Sequence, residues 1–157
     1  MQLTVTLLAD SLAGAETVAM LRWQEWGCPP EPEDPAWWLA ITLSEAGTEE
    51  LPVTFVAQDD AGAVVGAVGL DTYDLDDRRD TTPWVTGMIV RDDLRGLGIG
   101  STLMRHLERW AAEHHIAEAW VGTESAAAFY EKCGWIPQER FVTSTGTHIE
   151  VLHRQLL

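Results

Sequence analysis

The stretch "RGLGIG", residues 95–100, lies between an apolar run, "VTGMIV" (85–90), and a long amphipathic run, "STLMRHLERWAAEHH" (101–115). One glycine suffices to turn a strand into a helix; this turn holds three in six residues. A dinucleotide fingerprint needs G-x-G-x-x-G, but Ser101 stands where the last glycine would be. It also needs an acidic residue roughly 20 positions on, ending a second strand. Glu113, near that offset, falls inside the helical run instead. A phosphate-binding P-loop closes on Gly-Lys-Ser/Thr, and this loop has no lysine. Two readings remain. The glycines either permit tight packing or leave the backbone bare for an anion. A helix start supports the second, because its first four N–H groups lack intrahelical partners and carry the positive end of the helix dipole. Arg95 adds a permanent cation. Each charge-assisted hydrogen bond there is worth roughly 1.5–3 kcal/mol.

Outward from the loop, apolar residues at Ile99, Leu103, Leu107, Trp110 and Ala111 mark one face of a helix over 98–115. "WVTGMIV" (84–90) and "AEAWVGT" (117–123) read as strands on either side of it. "LTVTLLA" (3–9) reads as a first strand, and Asp10 or Ser11 as the cap of a helix reaching Trp26. The four prolines of "GCPPEPEDP" (27–35) predict a loop, followed by a helix over 36–47 that Gly47 ends. "LPVTFVAQ", "DDAG" and "AVVGAVGL" predict a hairpin over 51–70. The segment 71–83, with five aspartates and two arginines, reads as an exposed loop, its aspartates either merely solvated or drawing in a cationic amine. "ESAAAFYEKC" (124–133) predicts a short helix, and "ERFV" and "THIEVLHRQLL" the last strands. The order gives an α/β fold, a mixed sheet with helices packed on it, in one domain over 1–157.

Composition narrows the partners. The net charge is −15, from 25 acids against 10 bases, which argues against nucleic acid. It suits cationic small molecules, basic peptides or solubility. No apolar run approaches the roughly 18 residues that cross a membrane. The N-terminus shows no signal-peptide pattern, so a cytoplasmic location is the expectation. Cys28 and Cys133 match no metal spacing and are expected as buried free thiols.

Arg95-Gly96-Leu97-Gly98-Ile99-Gly100 has the R/Q-x-x-G-x-G/A form of the GCN5-related N-acetyltransferases, the GNAT family. "FYEKCGW" (129–135) resembles that family's F-Y-x-x-x-G-F/W segment, and the likeness runs in order from about residue 52 to residue 140. The resemblance implies a mostly antiparallel sheet of six to seven strands with a central splayed parallel pair, and about four helices. It implies acetyl-coenzyme A as co-substrate, with its pyrophosphate on residues 95–101, from Arg95 to Ser101. The backbone of Ile89 and Val90 would hold the thioester and pantetheine. Thr123 stands where many members carry an asparagine that bonds the pantetheine arm. Related proteins are often homodimers, though nothing in this sequence specifies an interface.

Acetyl transfer to nitrogen needs a neutral amine and an acid for the leaving thiolate. A lysine-like amine, with a pKa of about 10.4, costs roughly 4.6 kcal/mol to neutralise at pH 7. Tyr130, at the position of the family's tyrosine, is the candidate acid. The family's best-known strand carboxylate falls at Trp84, which takes no proton. Glu124, Asp71, His148 or a water chain remain as candidates for the base. Trp23, Trp26, Trp37 and Trp38 lie where the family builds its substrate wall, and aromatics beside acids suit cations; they belong either to that wall or to the core. Trp110, Trp120 and Trp135 are expected in the core. The resemblance thus implies an N-acetyltransferase for a primary, cationic amine. Alternatives are a coenzyme A-binding sensor without catalysis, or transfer of another acyl group.

Overall fold

β2 (Val53–Gln58) and β3 (Val64–Asp71) are rich in valine and alternate no polar face to water, so both of their sides need cover. They form an antiparallel hairpin closed by Asp59, whose Oδ1 accepts the N–H groups of Ala61 and Ala63, each at 2.9 Å. A computed structural model describes all 157 residues and builds a seven-stranded sheet outward from this hairpin. The order is β1-β2-β3-β4-β5-β7-β6, with β1 (Thr4–Leu7), β4 (Trp84–Val90), β5 (Glu118–Thr123), β6 (Ile136–Val142) and β7 (His148–Gln155). Neighbours are antiparallel except β4 and β5, which run parallel.

That parallel pair is short. Only Trp84↔Trp120 and Val85↔Val121 are in register, and beyond them the strands part. β4 also carries a bulge: Gly69 faces Thr86 while Ala67 faces Ile89, so Gly87 and Met88 together oppose Val68. The bulge reverses the in-out alternation, which is why Trp84 and Ile89, five positions apart, both leave the sheet on the side away from Val85.

α3 (Ile99–Glu113) lays Ile99, Leu103, Met104, Leu107, Trp110 and Ala111 on one face of the sheet, joined by α4 (Ala127–Lys132). α1 (Ala15–Trp26) and α2 (Pro35–Ser44) take the other face, where Val18 and Ala15 meet Val56, Ala67 and Ile89. The expected helix from Asp10 starts later, after two short turns over Leu8–Asp10 and Leu12–Gly14, and no side chain caps it. Pro35 opens α2 rather than barring it. Its missing N–H is one a first turn leaves unbonded, and Asp34 caps the helix by accepting the Ala36 N–H at 2.9 Å. α2 ends at Ser44, short of Gly47.

The aspartate-rich segment departs from the expected solvated loop. Helices cover one half of the α1 face, and the strap 72–82 covers much of the rest. Tyr73 and Leu75 pack on a cluster of Trp84, Ile149 and Val151. Arg78 lies 5.9 Å from the Trp84 ring and 5.6 Å from the Phe141 ring, and pairs with Asp80 at 2.9 Å and with Glu139. Asp77 accepts the Ser144 N–H, and the Trp84 indole donates to the Thr81 carbonyl at 2.8 Å. Charge density hid this in the sequence, because two apolar residues among five aspartates leave no period.

Trp110 and Trp135 are buried as expected, and Trp135 donates to Glu108 at 2.8 Å. Trp120 is half-buried against His153. Cys133 is half-buried, whereas Cys28 is exposed in the proline-rich loop. No helix is long and apolar enough to cross a membrane.

Candidate active site

Where β4 and β5 part, a cleft of about 1010 Å³ opens through the sheet. One end lies at the start of α3. Gly98 is left-handed, with φ of 87°, and a side chain there would meet nothing within 4 Å. The backbone N–H of Thr102 is the first to find an intrahelical acceptor, the Gly98 carbonyl at 3.0 Å, so the N–H groups of Gly98 to Ser101 are the helix's free donors. These are the donors that the sequence reading assigned to an anion. Gly100 serves differently: a Cβ there would lie 2.9 Å from Phe129 Cζ, so this glycine seats α3 against α4.

Of the residues assigned to the cofactor, Ile89, Val90, Arg95, Gly96, Ile99, Gly100 and Thr123 line the cleft. Leu97 instead points to solvent, 63% exposed, and Ser101 turns toward Cys133, with Sγ and Oγ 3.9 Å apart. Arg95 is engaged. Its Nη2 contacts Asp92 at 2.8 Å and Glu25 at 3.3 Å, and its Nε donates to the Val90 carbonyl. A diphosphate bound at the start of α3 would compete with those two exposed carboxylates. Thr123 Oγ1 accepts the N–H groups of Ala126 and Ser125 at 2.9 and 3.3 Å, which leaves its own proton to donate.

Tyr130 reaches the middle of the cleft from α4 and is 4% exposed. Burial, then Cys133 and Asp74, raise its phenol above the ordinary value of 10.0. It therefore remains protonated at neutral pH. Phe129 stacks edge-on at 5.0 Å and fixes the ring.

The far end is acidic and aromatic. Trp26, Trp37 and Trp38 line it, with Trp37 and Trp38 edge to face at 5.5 Å. Trp23 does not. Its indole donates to the Glu33 carbonyl at 2.8 Å and ties the proline-rich loop to α1. Glu45, Asp71 and Asp74 face one another from the end of α2, the end of β3 and the strap. Desolvation, then the charges of Asp71 and Glu45, push Asp74 from 3.8 up to about 6. Desolvation also raises Glu45, against the pull of Arg22, whose Nη1 lies 3.0 Å from Glu45 Oε1. Arg22 is 3% exposed; its Nε donates to the Gly87 carbonyl in the bulge at 3.3 Å, and its Nη2 has no partner.

Glu124 lines the cleft at its open edge and is exposed. His148 lies outside the cleft, in a neighbouring groove of about 270 Å³ that it shares with Glu124, Arg140 and Glu150. Glu45 and Arg22 were not singled out in the sequence, and Asp74 only among the aspartates of 71–80. The first two are 23 positions apart with no motif between them, and Asp74 is one of five aspartates. The one available signal was Tyr73 and Leu75 flanking it, which marks a segment with something to bury.

The sequence profile of the acetyltransferase (GNAT) family matches residues 18–135. Comparison with curated protein sequences finds no match. Among solved structures, an aminoglycoside 6'-N-acetyltransferase complexed with coenzyme A superposes with a TM-score of 0.78 at 16% identity, covering 100% of this chain and 98% of that one. Ard1 from Thermoplasma volcanium gives 0.74 at 20% identity, covering 100% and 99%. The structure of yncA from Salmonella typhimurium with its cofactor acetyl-CoA gives 0.71 at 17%, covering 100% and 95%. At these identities the likeness speaks to the fold. With three quarters of the sequence matched by one profile, the chain belongs to the GNAT acetyltransferase family.

Proposed function

We propose that the protein is an acetyl-coenzyme A-dependent N-acetyltransferase acting on a primary amine of a cationic small molecule or peptide, by direct attack on the thioester. The carrying observation is the continuity of the cleft. One opening joins the free donors at the start of α3, the Tyr130 hydroxyl and the carboxylates and indoles of the far wall. The residues present fit the donor: Gly98 leaves open space before the helix donors, Arg95 borders it, and Ile89 and Val90 line the gap between the strands. Coenzyme A supplies an activated acyl group and a thiolate leaving group. Tyr130 holds the proton that the thiolate takes. Its raised pKa makes full transfer ahead of bond breaking costly, so donation accompanies C–S cleavage. Glu45, Asp71, Asp74, Glu124 and three indoles favour a cation at the other end.

The test is acetyl-coenzyme A consumption with a panel of amines, the acetylated product identified by mass spectrometry. Coenzyme A binding without product from any amine would favour the second reading, a coenzyme A-binding sensor. That reading draws on β4, whose side chains Trp84, Val85, Thr86, Met88, Ile89 and Val90 include no proton acceptor.

A further inference from the structure

We infer that Asp74 is the group that takes the proton from the incoming amine, delivered into the cleft by the strap 72–82 in place of any acceptor on β4. The inference rests on the transferase reading above.

Three observations carry it. First, Trp84 occupies the start of β4 with no exposure, and its indole is spent on the Thr81 carbonyl. The strap seated on that indole brings Asp74 to the cleft wall between Tyr73 and Leu75. Leu75 approaches the β5 backbone so closely that a Cβ on Gly122 would lie 3.0 Å from its Cδ1. The segment is therefore held at the gap between the strands. Second, Asp74 and Tyr130 both line this cleft, so acid and proton acceptor border the same space. Third, the same wall contains a buried guanidinium with an unpartnered Nη2, that of Arg22, and a wholly buried hydroxyl without a partner, that of Thr42. Two of the four buried side-chain polar atoms without a partner thus line this cleft, where a polar ligand would satisfy them.

The groups facing Asp74 are Asp71 from β3, Glu45 from α2 and Tyr130 from α4; Arg22 of α1 acts through Glu45. They do not converge as metal ligands. Desolvation, then the charges of Asp71 and Glu45, bring Asp74 to about 6. It is a stronger base than an ordinary carboxylate and still ionised at pH 7. It is also open to the cleft, so a substrate reaches it. His148 lies outside the cleft, Glu124 is shared with the neighbouring groove, and Asp71 Oδ1 already accepts the Thr72 N–H at 2.6 Å, which leaves the strap as the better source.

The proton balance closes. Asp74 accepts one proton from the ammonium. The freed nitrogen pair forms the N–C bond to the acyl carbon as the C–S bond breaks. Tyr130 gives its proton to the departing sulfur and regains one from the nitrogen through water. Asp74 releases its proton to solvent as the products leave.

The experiment compares wild type, Asp74→Asn and Asp74→Glu with one accepted amine from pH 5 to pH 9, alongside coenzyme A binding by calorimetry and a carboxyl-carbon NMR titration of the ligand-free protein. Asp74→Asn should lower kcat/KM by roughly 10²–10⁴ at pH 7 with coenzyme A affinity unchanged. Its residual activity should lack the inflection near pH 6 that wild type shows, and Asp74→Glu should restore that inflection in part. The NMR signal of Asp74 should titrate near the same pH. An Asp74→Asn profile matching wild type overturns the inference while leaving the transferase reading standing. A wild type that acetylates no amine overturns both.

Discussion

Gly98 and Gly100 stand two residues apart in one motif and act through different physics. At Gly98 the backbone is left-handed and the space beyond is open, so a side chain strains the turn and shades the helix donors. At Gly100 the side chain would strike Phe129. Gly98→Val should therefore weaken coenzyme A by tenfold or more in calorimetry, the loss of roughly one charge-assisted hydrogen bond. Gly100→Val should instead lower the melting temperature by prising α4 from α3. Equal effects of the two on affinity, with no change in melting, would contradict this division. Tyr130→Phe keeps the ring and its packing and removes the proton. Turnover should fall by roughly 10²–10⁴ while the donor binds as before. A turnover near wild type, with chemistry rate-limiting, would remove the hydroxyl from the mechanism. The glycine motif and Tyr130 were legible because each is local in sequence. The Arg22–Glu45 pair was not, because only the packing of α1 on α2 brings its members together.

Among elements, the strap 72–82 and α3 show what a sequence reveals. α3 announces itself through a repeated apolar face, and the β2–β3 hairpin through valine runs around an aspartate-glycine turn. The strap has no period. It is held by one arginine between two rings, two carboxylates, and bonds to the β6–β7 hairpin, and none of these is visible along the chain. Arg78→Ala should cost about 1–2 kcal/mol, or roughly 2–8 °C in melting temperature. Because the strap borders the amine end of the cleft, the amine KM should rise several-fold and the donor KM should not. A change confined to the donor KM would show that the strap does not serve the acceptor.

For the whole molecule, the charge of −15 sets a field that opposes one ligand and attracts the other. Raising ionic strength from about 0.01 to 0.15 M shortens the Debye length from about 30 to 8 Å. Amine kcat/KM should fall across that range and donor kcat/KM should hold or rise; an amine value indifferent to salt would leave the acidity to solubility. Stability follows the same charges. Asp74 titrates higher in the folded chain, about 6, than its ordinary 3.8, so its ionisation opposes folding. That cost is absent below about pH 4, grows as the unfolded chain ionises first, and is complete above pH 6. Asp74→Asn should thus melt higher than wild type at pH 7 and equally near pH 4. A constant difference at all pH values would place Asp74 at an ordinary pKa.

The two-residue seam between β4 and β5 has a further consequence in amide exchange. Past Val85 and Val121 these strands keep hydrogen-bonded neighbours on their outer edges only. Amides turned toward the gap should therefore exchange with solvent deuterium far faster than their neighbours in the same strands. Addition of coenzyme A should slow that inner set selectively, tracing how far along the seam the ligand extends the sheet.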